Sequence, residues 1–174
     1  FIFIIQKAIE AVAYPEAPAE LYNPIRYELS LGGKRIRPVL ALLSCDLFGG
    51  DYRQAIDAAL GIEIFHNFTL LHDNVMDKAD MRRGKPTVHV KWNENTAILS
   101  GDAMQIIAFM YIMQSPAESR QAVRDVLLKT ALEICEGHQY AMELEPGTDV
   151  RDAPSLALTP LTTAVHLACA HKPR

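Results

Sequence analysis

A chain of 174 residues, 49% hydrophobic and 22% charged, has the size and composition of one globular domain. Its net charge of −4 supplies no basic field for nucleic acid, and its longest apolar run, Ile106 to Met113, is too short to span a bilayer. A disordered tail, a collagen-like fibre and a disulfide-stapled miniprotein are excluded on the same grounds.

Phe1 to Ile5 is apolar, but no basic segment precedes it and no small-residue cleavage site follows closely, so it reads poorly as a signal peptide. With no initiator Met, the expectation is a trimmed chain. Few stretches alternate apolar and polar residues as a half-buried strand would; long ones repeat at three and four. Residues 20–30 predict a short helix ended by Gly32-Gly33. Pro38 marks a new start, and Val39 to Phe48 continues it until Gly49-Gly50. Asp51 caps the next element, which runs from Tyr52 to about Met76, interrupted only by Gly61. Residues 79–87, with Gly84 and Pro86, predict a loop. A helix follows from Asn93 or Asn95 to about Gln114, and another from about Ser119 to Glu145, where Pro146-Gly147 stops it. Residues 148–160 predict irregular structure and 161–171 a last short helix. The expected class is all-α, one domain over residues 1–174, with short connections that favour antiparallel neighbours. Cys45, Cys135 and Cys169 are odd in number, widely spaced and set among apolar neighbours, so they predict buried thiols in a reducing, cytoplasmic compartment.

The most informative segment is His66 to Asp77. Asp73 and Asp77 are four apart, which on a helix puts their carboxylates on one face, about 6 Å from each other. Stacked like charges destabilise a helix unless a cation joins them. His66 shares that face two turns earlier, with Thr69 between, while Phe, Leu, Val and Met flank the stripe. A solvated face is the ordinary reading of such charges. The apolar flanks favour a carboxylate pair holding Mg²⁺, which takes hard oxygen ligands and keeps waters for a phosphate to replace. Two cation clusters stand beside glycines: Gly32-Gly33-Lys34-Arg35-Ile36-Arg37-Pro38 and Arg82-Arg83-Gly84-Lys85-Pro86. Arginine grips phosphate bidentately and lysine adds a point charge. Cations for phosphates together with carboxylates for a bridging metal form the composition of a magnesium–diphosphate site.

With these residues the chain resembles the trans-prenyl diphosphate synthases, the polyprenyl synthetase family that includes farnesyl and geranylgeranyl diphosphate synthases. The likeness runs from about Ala8 to Ala170 and covers the N-terminal half or somewhat more of a typical member. Gly-Gly-Lys-Arg-x-Arg-Pro is matched at Gly32–Pro38, and Arg-Arg-Gly-x-Pro-x-x-His at Arg82–His89. The first aspartate-rich motif, Asp-Asp-x-x-Asp, is nearly matched at Asp73–Asp77. The resemblance implies an isoprenoid-synthase-type helical bundle around a central cavity, here incomplete at its C-terminus, usually as a homodimer. It implies condensation of isopentenyl diphosphate with an allylic diphosphate by ionisation, condensation and proton loss. Asp73 and Asp77 would be the metal ligands and Arg82 a contact to the allylic diphosphate; Asp73, Asp77 and Arg82 are thus the implied catalytic set. Lys34, Arg37, His66 and Arg83 would hold isopentenyl diphosphate. Phe68 and Thr69, the fifth and fourth residues before the motif, would set chain length, with a short product of C15–C20.

The sequence also departs from the family pattern. Asn74 stands for the motif's second aspartate. Gly-Gln-x-x-Asp appears as Gly137-His138-Gln139-Tyr140-Ala141, and the following Lys-Thr as Thr162-Thr163, with Pro160 just before it. No second aspartate-rich motif precedes Arg174. The expectation is therefore either an active prenyltransferase of which this chain is part, or a degenerate, non-catalytic relative that binds a diphosphate or partners an active subunit. Trp92, Phe109, Tyr111 and the Met104, Met110, Met113 set predict core or dimer-interface packing, and His72 a structural role.

Overall fold

The structure, a computed structural model, describes residues 1–143. Among these, seven α-helices and one small hairpin follow in the order α1 (Ile2–Glu10), α2 (Ala19–Ser30), α3 (Ile36–Leu47), a 3-10 turn at Tyr52–Ala55, α4 (Ile56–Met76), β1 (Met81–Arg82), β2 (Lys85–Pro86), α5 (Val88–Lys91), α6 (Glu94–Ile112) and α7 (Ala117–Glu143). The all-α class is as expected. The irregular segment at 148–160, the helix at 161–171 and the Thr162-Thr163 departure lie outside the described residues, as does Cys169.

Every residue of α4 from Ala58 to Phe65 is buried, so α4 is the axis of the bundle. It runs antiparallel to α6. Near its start, a Cβ on Gly61 would stand 2.8 Å from the Ala108 carbonyl and 2.6 Å from Ile112; near its end, His72 fills the space that a Cβ on Gly101 would need. Glycine at each crossing lets the two backbones approach closely. Ile64, Leu71, Met104, Ala108 and Ile112 fill the seam, all at or below 1% exposure. Burying each large aliphatic side chain there contributes about 1.5–3 kcal/mol.

Three local features differ from the sequence reading. Residues Ile2–Glu10 form α1, because Ile5 and Ile9 share one stripe and are buried in the core. Residues 81–86 form a hairpin, whose turn residues Arg83 and Gly84 both have positive φ, 52° and 74°. Such a turn matches the right-handed twist of the paired strands. The expectation of buried thiols fails: Cys135 is exposed and Cys45 only half-buried. On α7 the packed stripe runs through Val123, Leu127 and Thr130, and Cys135 falls off it. Of the methionines, Met104 is in the core, while Met110 and Met113 are exposed at 61% and 44%.

Candidate active site

The Gly32–Pro38 segment shows how sequence neighbours acquire different tasks. Gly32 and Gly33 end α2 with φ of 79° and 145°, and Arg35 continues left-handed at φ 48° before α3 begins. A left-handed residue reverses the direction in which successive side chains leave the backbone. Arg35 consequently turns inward, 3% exposed, ion-pairing Glu63 at 2.7 Å and donating to the Leu29 carbonyl. Arg37, two residues on, faces a cavity instead and donates to His66 Nε2 at 3.0 Å. Arginine has no acceptor, so that ring nitrogen accepts, and His66 carries its proton on Nδ1 when neutral. Lys34 is exposed at the turn.

The cavity, about 230 Å³, opens between α3, α4 and α7. Arg37, His66, Thr69, Asp73 and His138 supply its polar lining, and Phe65, Leu127 and Ile134 part of its apolar wall. Phe68 does not share this lining; its ring meets Phe65 and His72 edge-on at 5.3 and 4.8 Å. Thr69 Oγ1 donates to the His66 carbonyl. A smaller cavity of about 110 Å³ by Cys45, Phe48 and Ser115 lies apart from all these polar groups.

Asp73 lies in the last turn of α4, and Asp77 caps that helix, its N–H donating to the Asp73 carbonyl at 2.8 Å. The pair therefore shares a face, as the spacing predicts. Burial raises the Asp73 carboxyl above its ordinary pKa, and Asp77 adds to the rise. His138 of α7 opposes it, with Nδ1 3.7 Å from Asp73 Oδ1. Sequence reading registered His138 only as a lost glutamine; its approach to Asp73 depends on where α7 crosses α4, which no local pattern encodes.

Asn74 points elsewhere. It is 1% exposed, and its Oδ1 accepts from Arg82 Nε at 2.6 Å. The departure from the aspartate motif thus falls on a residue that anchors the hairpin arginine, about 100° around the helix from Asp73. Arg83 reaches across to donate to the Gly32 carbonyl, with its guanidinium 3.0 Å from where a Cβ on Gly33 would stand. Arg83 is thereby docked on the glycine turn that also launches Arg37. His72 is structural, as expected: its Nε2 lies 3.0 Å from the Ile98 carbonyl and 3.8 Å from Asp102. Sequence reading missed two buried acids, Glu63 and Glu28, at 3% and 0% exposure. Their signal was a carboxylate on the apolar stripe of a helix, as in Ile25-x-x-Glu28-Leu29.

A divalent cation fits this donor set. Among the described residues no three His, Cys, Asp or Glu side chains lie close enough to hold a metal between them. Asp73 on a cavity lined by cationic and imidazole groups, with Asp77 one turn beyond it, suits an ion that takes its remaining ligands from water and phosphate. Among the described residues, no helix is long and apolar enough to cross a membrane.

The family model for polyprenyl synthetases matches residues 18–171. A geranylgeranyl diphosphate synthase of Methanosarcina mazei is 39% identical over 170 residues, covering 97% of this chain and 52% of that protein. A geranylfarnesyl diphosphate synthase of Natronomonas pharaonis is 36% identical over 185 residues, covering 96% of this chain and 54% of its own length. The solved geranylgeranyl pyrophosphate synthetase of Geoglobus acetivorans superposes with a TM-score of 0.90 at 38% identity, over 97% of this chain and 57% of that one. The chain thus spans about half the length of the relatives it matches.

Proposed function

The chain belongs to the polyprenyl synthetase family, and on that premise we propose that it forms the first metal- and diphosphate-binding wall of a prenyltransferase. The reaction is condensation of isopentenyl diphosphate with an allylic diphosphate to a C15–C20 product, with Mg²⁺ as the metal. One observation carries the reading: Asp73, one turn from Asp77, stands over the same cavity as Arg37 and His66.

Asp73 and Asp77 would hold Mg²⁺, which supplies charge neutralisation at the departing diphosphate. Arg82, anchored on Asn74, presents its remaining guanidinium N–H groups to that diphosphate. Lys34, Arg37, His66 and Arg83 bind isopentenyl diphosphate, with Arg37 steadied by His66. Phe65, Leu127 and Ile134 keep water from the allylic group. Thr69 lines the path of the growing chain, and Phe68, whose ring packs on the cavity-lining Phe65, limits its length through that contact. Leu99, Ile106 and Met110, each 61% exposed, form a stripe on α6 that a second copy covers in a homodimer. A cytoplasmic location accompanies this reading.

Calorimetry with isopentenyl or allylic diphosphate, with and without Mg²⁺, tests the assignment. Allylic diphosphate should bind better with Mg²⁺, since phosphate oxygens complete the coordination; equal affinity in EDTA would sink it. A second reading, a diphosphate-binding relative without turnover, draws on His138 and Ala141, which replace the family's Gln and Asp. Binding without release of diphosphate on mixing both substrates would select it.

A further inference from the structure

Glu28 is the buried charge that the proposed chemistry leaves unused. It lies on α2 at 0% exposure, and neither carboxylate oxygen has a hydrogen-bond partner. The adjacent Tyr27 hydroxyl is committed elsewhere, donating to the Pro86 carbonyl at 2.7 Å. The charges that face Glu28 are those of the hairpin, Arg83 first and Arg82 second. Behind Arg83 stands the Arg35–Glu63 pair of α3 and α4, which acts on it in turn. An unpaired carboxylate in such a place is tolerated only through the field of those two arginines, since desolvation otherwise forces it neutral.

The same arginines are the ones offered to diphosphate. We propose that Glu28 is the internal counter-anion of the Arg82–Arg83 hairpin, and that it gives up its negative charge when a diphosphate binds there. The step is a simple protonation: a carboxylate oxygen of Glu28 takes one proton from solvent, and no other bond forms or breaks. A bound diphosphate cancels the arginine field that keeps the carboxylate ionised and adds repulsion of its own, so ligand and proton bind together. This inference rests on the diphosphate reading of Arg82 and Arg83 and adds a proton linkage to it.

The expected sign follows from the free carboxyl, which burial raises to about 7. One pH unit above that value the wild type must bind a proton that Glu28→Gln does not need, which costs about tenfold in affinity. Isopentenyl diphosphate titrated into the intact chain without metal should therefore bind E28Q about tenfold tighter than wild type at pH 8 and equally at pH 6. At pH 7, calorimetry in two buffers of different ionisation heat should give a larger proton uptake for wild type than for E28Q; the ligand's own protons cancel in that difference. Parallel pH profiles, or weaker binding by E28Q at pH 8, overturn the proposal. Should E28Q fail to fold, the infrared difference spectrum of the wild type decides: the carbonyl stretch of a protonated carboxylic acid must grow on adding ligand at pH 8, and its absence overturns the proposal. An absence of any binding sinks the diphosphate reading and this one together, whereas binding with no added proton sinks this one alone.

Discussion

Arg35 and Arg37 are two residues apart in one cationic cluster, and the structure gives them opposite roles. Replacing Arg35 by Ala leaves Glu63 charged and unpaired in the core, which should cost about 3–5 kcal/mol of stability in a denaturant titration. Replacing Arg37 by Ala should leave the unfolding midpoint nearly unchanged and weaken isopentenyl diphosphate binding by about 1.5–3 kcal/mol in calorimetry. The sequence marks both as phosphate cations because composition and spacing describe the cluster; the left-handed Arg35 that sends the two side chains apart has no signature of its own. Glu28 gives a second residue-scale outcome. Its folded pKa, about 7, lies above the unfolded value near 4.5, so the native state holds the extra proton between them. The associated stability is fully present below pH 4.5 and is lost as pH rises through 7, by about 3 kcal/mol in all. Unfolding free energies of wild type minus E28Q should fall by that amount across the interval; a flat difference would mean that the carboxylate finds donors in solution.

At the scale of elements, the α4–α6 seam makes a ranked prediction. Gly61→Ala drives a methyl against the Ala108 carbonyl, which is backbone and cannot rotate away, whereas Gly101→Ala meets the ring of His72, which can. Overpacking typically costs about 1–3 kcal/mol, while alanine recovers up to about 1 kcal/mol of helix propensity. Thermal unfolding should therefore show G61A clearly destabilised and G101A less so, with His72 displaced from Phe68 in the latter. The helices themselves were legible, since α2, α3, α4, α6 and α7 follow from apolar periodicity and from glycine and proline stops. The helix α1 was not, because an apolar N-terminal run suits a targeting segment as well as the packed helix that its Ile5–Ile9 spacing forms. Nor was the hairpin, where a glycine and a proline signal a turn without indicating that two residues on either side pair. Gly61 registered only as a blemish in a helix, because the reason for it sits on another element.

For the whole molecule, the arginine hairpin touches both the end of α4, through Arg82 and Asn74, and the glycine turn, through Arg83 and Gly32. What spacing could not supply is the third wall. His138 reaches Asp73 only through the long α7, more than sixty residues onward in the chain, and Phe68 turns toward α6 while its neighbour Thr69 faces the cavity. The outer face of α6 carries the remaining whole-molecule prediction. Ile106→Lys with Met110→Lys places two charges on an exposed apolar stripe, which should shift a dimer to monomer in sedimentation while leaving helical content unchanged. A wild type that sediments as a monomer would remove the homodimer from the reading.

Helix α4 has a working residue on nearly every side: His66, Thr69 and Asp73 toward the cavity, Gly61 and His72 toward α6, Asn74 toward the hairpin. A helix advances about 100° per residue, so one residue inserted or deleted anywhere between Gly61 and Asp77 would rotate everything beyond it off its partner. No loop inside the helix can absorb the change. This stretch can thus drift in identity but not in length, and gaps among true relatives should fall in the loops on either side of it.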